Sequence, residues 1–171
     1  NQVIIPPISF RAYENPFKIA GQFELINLLP ANMILTIKNV EKKIIYQNIL
    51  ESDADFFAEI RGSLTEPNIA GNLRLSKGEV NLETFMQLYN KTEIAYNFED
   101  SNTLNNSRDY LNLNVEVIDP FTLTVPDAKI NITGNINLGG SFMKPTVQGN
   151  LILNKGYLIY FEKKFVFSEG R

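Results

Sequence analysis

The residues of this chain that could do chemistry are carboxylates, lysines and tyrosines, because the sequence contains no Cys and no His. The commonest general base and transition-metal ligand is therefore missing, as are thiol nucleophiles, disulfides and thiolate zinc clusters. Asp53 and Asp55 have the spacing of an Asp-x-Asp metal motif, but no third ligand or phosphate loop accompanies them, so a solvated turn is the better interpretation. Asp119 and Asp127 adjoin prolines, where Asp is typical of turns. We predict no catalytic residues, no metal, no cofactor and no enzymatic activity.

Composition sets the class of protein. The chain has 171 residues, enough for one sizeable domain, with 44% hydrophobic residues and a formal net charge of −3. This acidic balance argues against nucleic acid as a partner, because phosphate binding needs clustered Lys and Arg. No apolar run is long enough to span a membrane as a helix. Prolines interrupt the first strand-like run and the sequence stops next to another, so we expect a piece of a longer protein.

Apolar residues alternate with polar ones over most of the chain, which is the pattern of strands with one buried face. Leu111 and Leu113, for example, alternate with Asn112 and Asn114. Turn-forming Pro and Gly residues separate the runs, including Lys77-Gly78 and Lys155-Gly156, which the pattern predicts to be turns. The sequence therefore predicts an all-β protein, an antiparallel meander with one apolar face. The residues assigned to that face are Leu35, Ile37, Leu73, Leu75, Leu111, Leu113, Val115, Val117, Phe121, Leu123, Val125, Ile130, Ile132, Ile136, Leu138, Val147, Leu151, Leu153, Leu158 and Tyr160.

Two stretches depart from alternation. Phe85, Leu88 and Tyr89 have i, i+3, i+4 spacing, which predicts a short amphipathic helical segment over residues 83–89. The polar stretch 97–109 is predicted to be a mobile loop. It separates a first repeat region, about 17–96, from a second, about 110–171, within a single β-repeat unit.

An internal repeat links these two regions. Residues 62–78 and 140–156 align without gaps on the shared pattern Gly-Ser-x-x-x-Pro-x-x-x-Gly-Asn-Leu-x-Leu-x-Lys-Gly. Proline suits a corner because it donates no ladder hydrogen bond, and glycine in a strand permits a bulge or bend. Repeated units of this kind stack into elongated structures. The structural positions of the repeat are Gly62, Pro67, Gly71 and Gly78 in the first copy, and Gly140, Pro145, Gly149 and Gly156 in the second.

The repeat pattern, followed by Tyr157–Phe161 and by Phe165 to Phe167, resembles the repeats of the TamB family, most clearly over residues 56–171. The resemblance implies an elongated sheet curled into an open taco with an apolar interior, in an inner-membrane-anchored protein that spans the periplasm of a diderm bacterium. It implies a role in phospholipid transport or outer-membrane protein assembly, and a TamA-like outer-membrane partner of the Omp85 type.

Three functions follow as hypotheses. In the first, the apolar face lines a groove that carries phospholipid acyl chains between the two membranes; burial contributes about 0.8 kcal/mol per CH₂ without fixing the ligand in place. In the second, a β-scaffold assists assembly of outer-membrane barrel proteins through its strand edges. The third is a structural repeat of an adhesin-like surface protein. Residue patterning alone leaves open whether the apolar face is a groove or an ordinary dry core, and whether the chain self-associates to cover it.

Overall fold

The computed structural model describes residues 2–95, 110–118, 120–141 and 144–168, with helix side chains described as far as residue 88. Eleven strands and one helix make up this part of the chain. The predicted loop 97–109 lies outside the described residues. The strands are β1 (Gln2–Ala12), β2 (Asn15–Ile26), β3 (Leu29–Asn39), β4 (Lys43–Tyr46), β5 (Leu50–Gly62), β6 (Pro67–Asn81), β7 (Tyr110–Val117), β8 (Phe121–Val125), β9 (Ala128–Gly140), β10 (Pro145–Tyr160) and β11 (Lys163–Ser168), and the helix is α1 (Leu82–Ala95).

All eleven strands belong to one sheet with the order β1-β2-β3-β5-β6-β7-β9-β10-β11. Strand β4 pairs with β5 beyond the end of β3, and β8 pairs with both β6 and β9 beyond the end of β7. The prediction of an all-β, mainly antiparallel protein is therefore confirmed. One join departs from a meander: β6 pairs with both β7 and β8 in parallel. The connection from β6 leaves through α1, as parallel pairs need a long crossover.

Two asparagine side chains form hydrogen bonds with strand backbone at the interruption between β3 and β4. Asn39 donates from Nδ2 to the Ala54 carbonyl and accepts from the Phe56 amide through Oδ1. Asn15, which is buried, does the same for both backbone groups of Ile45, at 2.7 and 2.8 Å. A side-chain amide thus takes the place of a neighbouring strand, so the interrupted backbone keeps its hydrogen bonds.

The predicted helical segment is confirmed, and it is longer than the spacing indicated. Helix α1 begins directly after β6, and the Thr84 amide donates to Asn81 Oδ1 at 3.0 Å, the usual bond of an N-cap. Phe85 and Met86 are both exposed.

The two copies of the repeat have matching turns. Gly62 pairs with Pro67 and Gly140 with Pro145, and both glycines have positive φ, +107° and +87°. In each turn the Ser after the glycine accepts a hydrogen bond from the amide three residues on, at 3.0 Å for Ser63 and 3.1 Å for Ser141.

The prediction of turns at the Lys-Gly pairs is wrong. Lys77-Gly78 and Lys155-Gly156 lie inside the long strands β6 and β10, next to shifts in strand register. Lys77 has a φ of +48° and is the extra residue of a bulge opposite Ser52. A bulge and a turn favour similar residues, and only the pairing of the neighbouring strand distinguishes them.

Candidate functional site

Strand pairing builds a continuous apolar face across the sheet. Residues that pair directly lie on the same face of a sheet, and alternate residues along a strand share that face. One row of direct partners crosses seven strands and consists of apolar side chains or glycine. That row is Ile19, Ile37, Ala58, Gly71, Leu113, Leu138 and Val147.

All the residues assigned to the apolar face from the sequence lie on this one face by register. Their exposure falls into three groups. Buried are Leu75, Val117, Phe121 and Ile132; half-buried are Leu35, Ile37, Leu73, Leu111, Leu113, Val115, Leu123, Val125, Ile130, Ile136 and Leu138; exposed are Val147, Leu151, Leu153, Leu158 and Tyr160.

The buried group forms a packed cluster at one part of the face. Leu75, Val117, Phe121 and Ile132 pack together with Ala54, and Leu73, Val115 and Ile130 lie against them. Side chains packed this closely leave no room for a ligand. The half-buried and exposed rows nearer the β5–β6 and β9–β10 turns are the part of the face that an apolar ligand could reach.

The sequence reasoning missed several residues of the same face. Ile60 and Ile69 pair with each other and extend the row that contains Leu35 and Leu111. Phe56 and Ala58 lie on the same face of β5. Phe57, between them, is also apolar but lies on the opposite face, so the sequence of β5 does not show a clear apolar-polar alternation.

Four glycines of the repeat lie on the apolar face at points where the backbone of the neighbouring strand is very close. A Cβ on Gly71 would meet the Phe57 carbonyl and lie 2.9 Å from Ala58 Cα. At the equivalent position, a Cβ on Gly149 would meet the Asn135 carbonyl and lie 2.7 Å from Ile136 Cα. Gly78 and Gly156 are equally close to the next strand, and all four have the parity of the apolar face. Only glycine fits such positions.

The opposite face is polar. Asn137 donates to Asn112 at 2.9 Å, and Arg74 forms an ion pair with Glu116 at 2.7 Å across the parallel strands. The hydrogen bond from Arg61 lowers the pKa of Glu59 on the same face. An open depression beside Arg74 is lined by acidic, basic and amide side chains together with Phe57, so no one sign of charge dominates it.

The candidate carboxylates do not assemble into a site. Asp53 and Asp55 lie within β5 rather than in a turn, so that prediction is wrong; Asp53 pairs with Ser76 and Asp55 with Arg74 on β6. Asp127 does lie in the turn between β8 and β9, where its carbonyl accepts from the Ile159 amide at 2.7 Å; Asp119 lies outside the described residues. Among described side chains, no three acidic residues come close enough to hold a metal ion.

A helix able to cross a bilayer is likewise not found in the described ranges. The chain shows no significant similarity to curated proteins or to solved structures. The family model described as the TamB C-terminal domain matches residues 12–171, which is all but the first eleven residues. TamB proteins are membrane-anchored, span the periplasm of diderm bacteria and are associated with TamA; they are not known as enzymes. The chain therefore belongs to the TamB family and has a TamB-related role in outer-membrane assembly or lipid transport.

Proposed function

We propose that the apolar face binds phospholipid acyl chains, as one segment of a periplasm-spanning groove that carries lipid between the inner and outer membranes. The single observation that carries the proposal is the uninterrupted apolar row from Ile19 to Val147. An acyl chain lying across the strands would contact apolar atoms all the way and meet no charged group. Such contacts contribute about 25 cal/mol per Å² of apolar surface and have no preferred position, so the lipid can slide.

The glycine positions support a sheet that curls towards this face. Where a neighbouring carbonyl occupies the space of a Cβ, the two backbones approach each other on the apolar side, as at Gly71 and Gly149. The same approach recurs at equivalent positions of both copies. We infer that the two regions, 17–96 and 110–171, are repeats that bend one sheet into an open groove, in a single unit of a longer protein.

Acyl chains would occupy the half-buried and exposed rows, not the packed cluster. We assign binding to rows such as Leu111–Gly140 and Leu113–Leu138, while Leu75, Val117, Phe121 and Ile132 stabilise the sheet. The protein would act without catalysis, in the periplasm, and meet a TamA-like partner through the longer protein.

Site-specific photocrosslinking tests the assignment of the two faces. A photoreactive phenylalanine analogue is placed at Leu151 on the apolar face or at its neighbour Asn150 on the polar face; both positions are exposed, so both variants should fold. After incubation with radiolabelled phospholipid vesicles and irradiation, we expect labelled protein from position 151 and little from position 150. Equal labelling at both positions would contradict the proposal.

A second candidate function is a β-scaffold that assists assembly of outer-membrane barrel proteins by strand pairing. The observation that favours it is the outer edge of β10: β11 pairs with β10 only from Lys155 onward, and no described strand pairs with Thr146–Leu153 on that side. Open edges of this length can accept an added strand. Proline substitution at Gln148, on the polar face of this stretch, would abolish this function and leave acyl-chain crosslinking from position 151 intact, whereas charges on the apolar face would have the opposite effect.

A further inference from the structure

The hairpin between β2 and β3 ends in an exposed aliphatic tip. Strand β5 pairs with β3 only as far as Met33, so residues 29–32 of β3 extend past that adjoining strand. Ile26 is 51% exposed, Leu29 68% and Leu28 88%. We call the segment Leu25–Leu29 the aliphatic tip.

The backbone of the tip favours a residue other than the one it has. Asn27 and Leu28 have φ values of +52° and +65°, as the two central residues of a type I′ turn require. Asn followed by Gly is the preferred pair for such a turn, whereas a leucine with positive φ is strained. Leu28 thus combines an unfavourable conformation with nearly full exposure. Glu14 and Glu162 have φ values of +71° and +60° at the same position of the β1–β2 and β10–β11 turns, so what distinguishes Leu28 is an apolar side chain that is nearly fully exposed there. Packing within the fold does not account for that side chain, which points to contact with something outside the fold.

The arrangement of the tip indicates a fluid apolar phase. Leu25 and Ile26 are consecutive, so their side chains lie on opposite faces of the hairpin, and Leu28 extends from the end. A protein groove would cover one face, but a bilayer can surround all of these side chains at once. No charged residue occurs between Glu24 and Lys38, and Ile26 pairs directly with Leu29 at the turn.

We propose that the aliphatic tip inserts into the hydrocarbon surface of a lipid bilayer and holds this edge of the sheet against the membrane. The contact is separate from acyl-chain binding on the apolar face and does not depend on it. The hairpin at the opposite end of the sheet offers a comparison, because Phe161 there is 81% exposed with a φ of +47° but is followed by Glu162, Lys163 and Lys164.

Leu28→Gly gives a test in which stability and binding change in opposite directions. The substitution creates Asn-Gly, so thermal stability should rise slightly, while partitioning onto phosphatidylcholine vesicles in a flotation assay should fall about tenfold, as expected from the loss of one buried leucine. Phe161→Asn is the matched control: it removes an exposed aromatic residue from a turn of the same type and should leave partitioning within about twofold.

Three outcomes would overturn the proposal: no flotation of the unmodified chain, equal flotation of Leu28→Gly, or a loss equal to that in Phe161→Asn. Sedimentation velocity runs alongside, and a dimer that becomes monomeric in Leu28→Gly would reassign the tip to contact between copies. Val147→Arg separates this inference from the proposed function, since it should reduce acyl-chain binding and leave flotation unchanged.

Discussion

At the scale of single residues, glycines permit close approach of neighbouring backbone, and asparagines allow a strand to be interrupted. The repeat glycines admit neighbouring backbone on the apolar face, and Asn15 and Asn39 supply hydrogen bonds that a missing strand segment would have made. Such roles depend on a particular close approach, which alternation of residue types does not reveal. The sequence repeat indicated that Gly71 and Gly149 matter, but it did not show which backbone they face.

Gly149→Ala should destabilise the protein by about 1–3 kcal/mol, because the added methyl group overlaps the Asn135 carbonyl and approaches Ile136 Cα. Gly139→Ala is the matched control. Its Cβ would lie 3.2 Å from the Thr146 hydroxyl and 3.3 Å from Asn137 Oδ1, which can move aside, and its nearest backbone atom, the Leu111 carbonyl oxygen, is at an ordinary contact distance of 3.7 Å. Urea denaturation followed by circular dichroism measures both; similar losses in the two variants would show that Gly149 is not a point of close approach.

Asn15→Asp should destabilise the protein by about 1–3 kcal/mol at pH 7, since a carboxylate oxygen would replace the donor that faces the Ile45 carbonyl in a buried position. Burial and the facing carbonyl raise the folded-state pKa of the introduced carboxyl. The unfolded state then binds fewer protons, so the stability lost at pH 7 should be partly recovered as pH falls through that folded pKa. Parallel urea titrations of both proteins at pH 7 and pH 4.5 check this, and a difference that does not shrink at lower pH would contradict it.

At the scale of elements, alternation correctly gave an all-β fold and a common face for the apolar residues it singled out, but it missed Phe56, Ala58 and Ile60 on β5. It did not predict parallel pairing of β6 with β7, because the order of strands depends on where the crossover through α1 returns, and the strand pattern is the same for either partner. The Lys-Gly pairs were misinterpreted for a related reason: a bulge is a property of two paired strands, while the sequence displays one strand at a time.

The serine hydroxyls of the two repeat turns should contribute unequally to stability. Ser63→Ala removes the side-chain acceptor of the Glu66 amide and the hydroxyl contact with Thr65, so it should cost about 0.5–1.5 kcal/mol. Ser141→Ala should cost less, because the Lys144 amide also donates to the Ser141 carbonyl at 3.2 Å. The double variant should lose the sum of the two values, because separate turns act independently. Thermal or urea unfolding measures all three proteins, and a larger loss at Ser141 than at Ser63 would contradict this prediction.

At the scale of the whole molecule, a single sheet presents one continuous apolar face and one polar face, with a packed cluster at one part of the former. The apolar face was largely predictable, because a period of two is the direct consequence of a pleated strand with two different environments. The division of that face into a packed cluster and an accessible part was not. It depends on strand order and pairing: Phe121 and Ile132 lie in the packed cluster with Ala54, whereas Val147 is 68% exposed on a stretch of β10 that pairs only with β9 among the described strands.

The most direct test of the central claim is native mass spectrometry of the chain purified without detergent, with lipid extraction to identify any ligand. Val147→Arg places a charge on the accessible part of the apolar face, and Gln148→Arg places the same charge on the polar face one residue away; both positions are exposed, so both variants should fold. We expect co-purified phospholipid with the unmodified chain and with Gln148→Arg, and a loss of at least about half of it with Val147→Arg. A folded, lipid-free chain, or equal lipid in both variants, would contradict the claim that this face binds acyl chains.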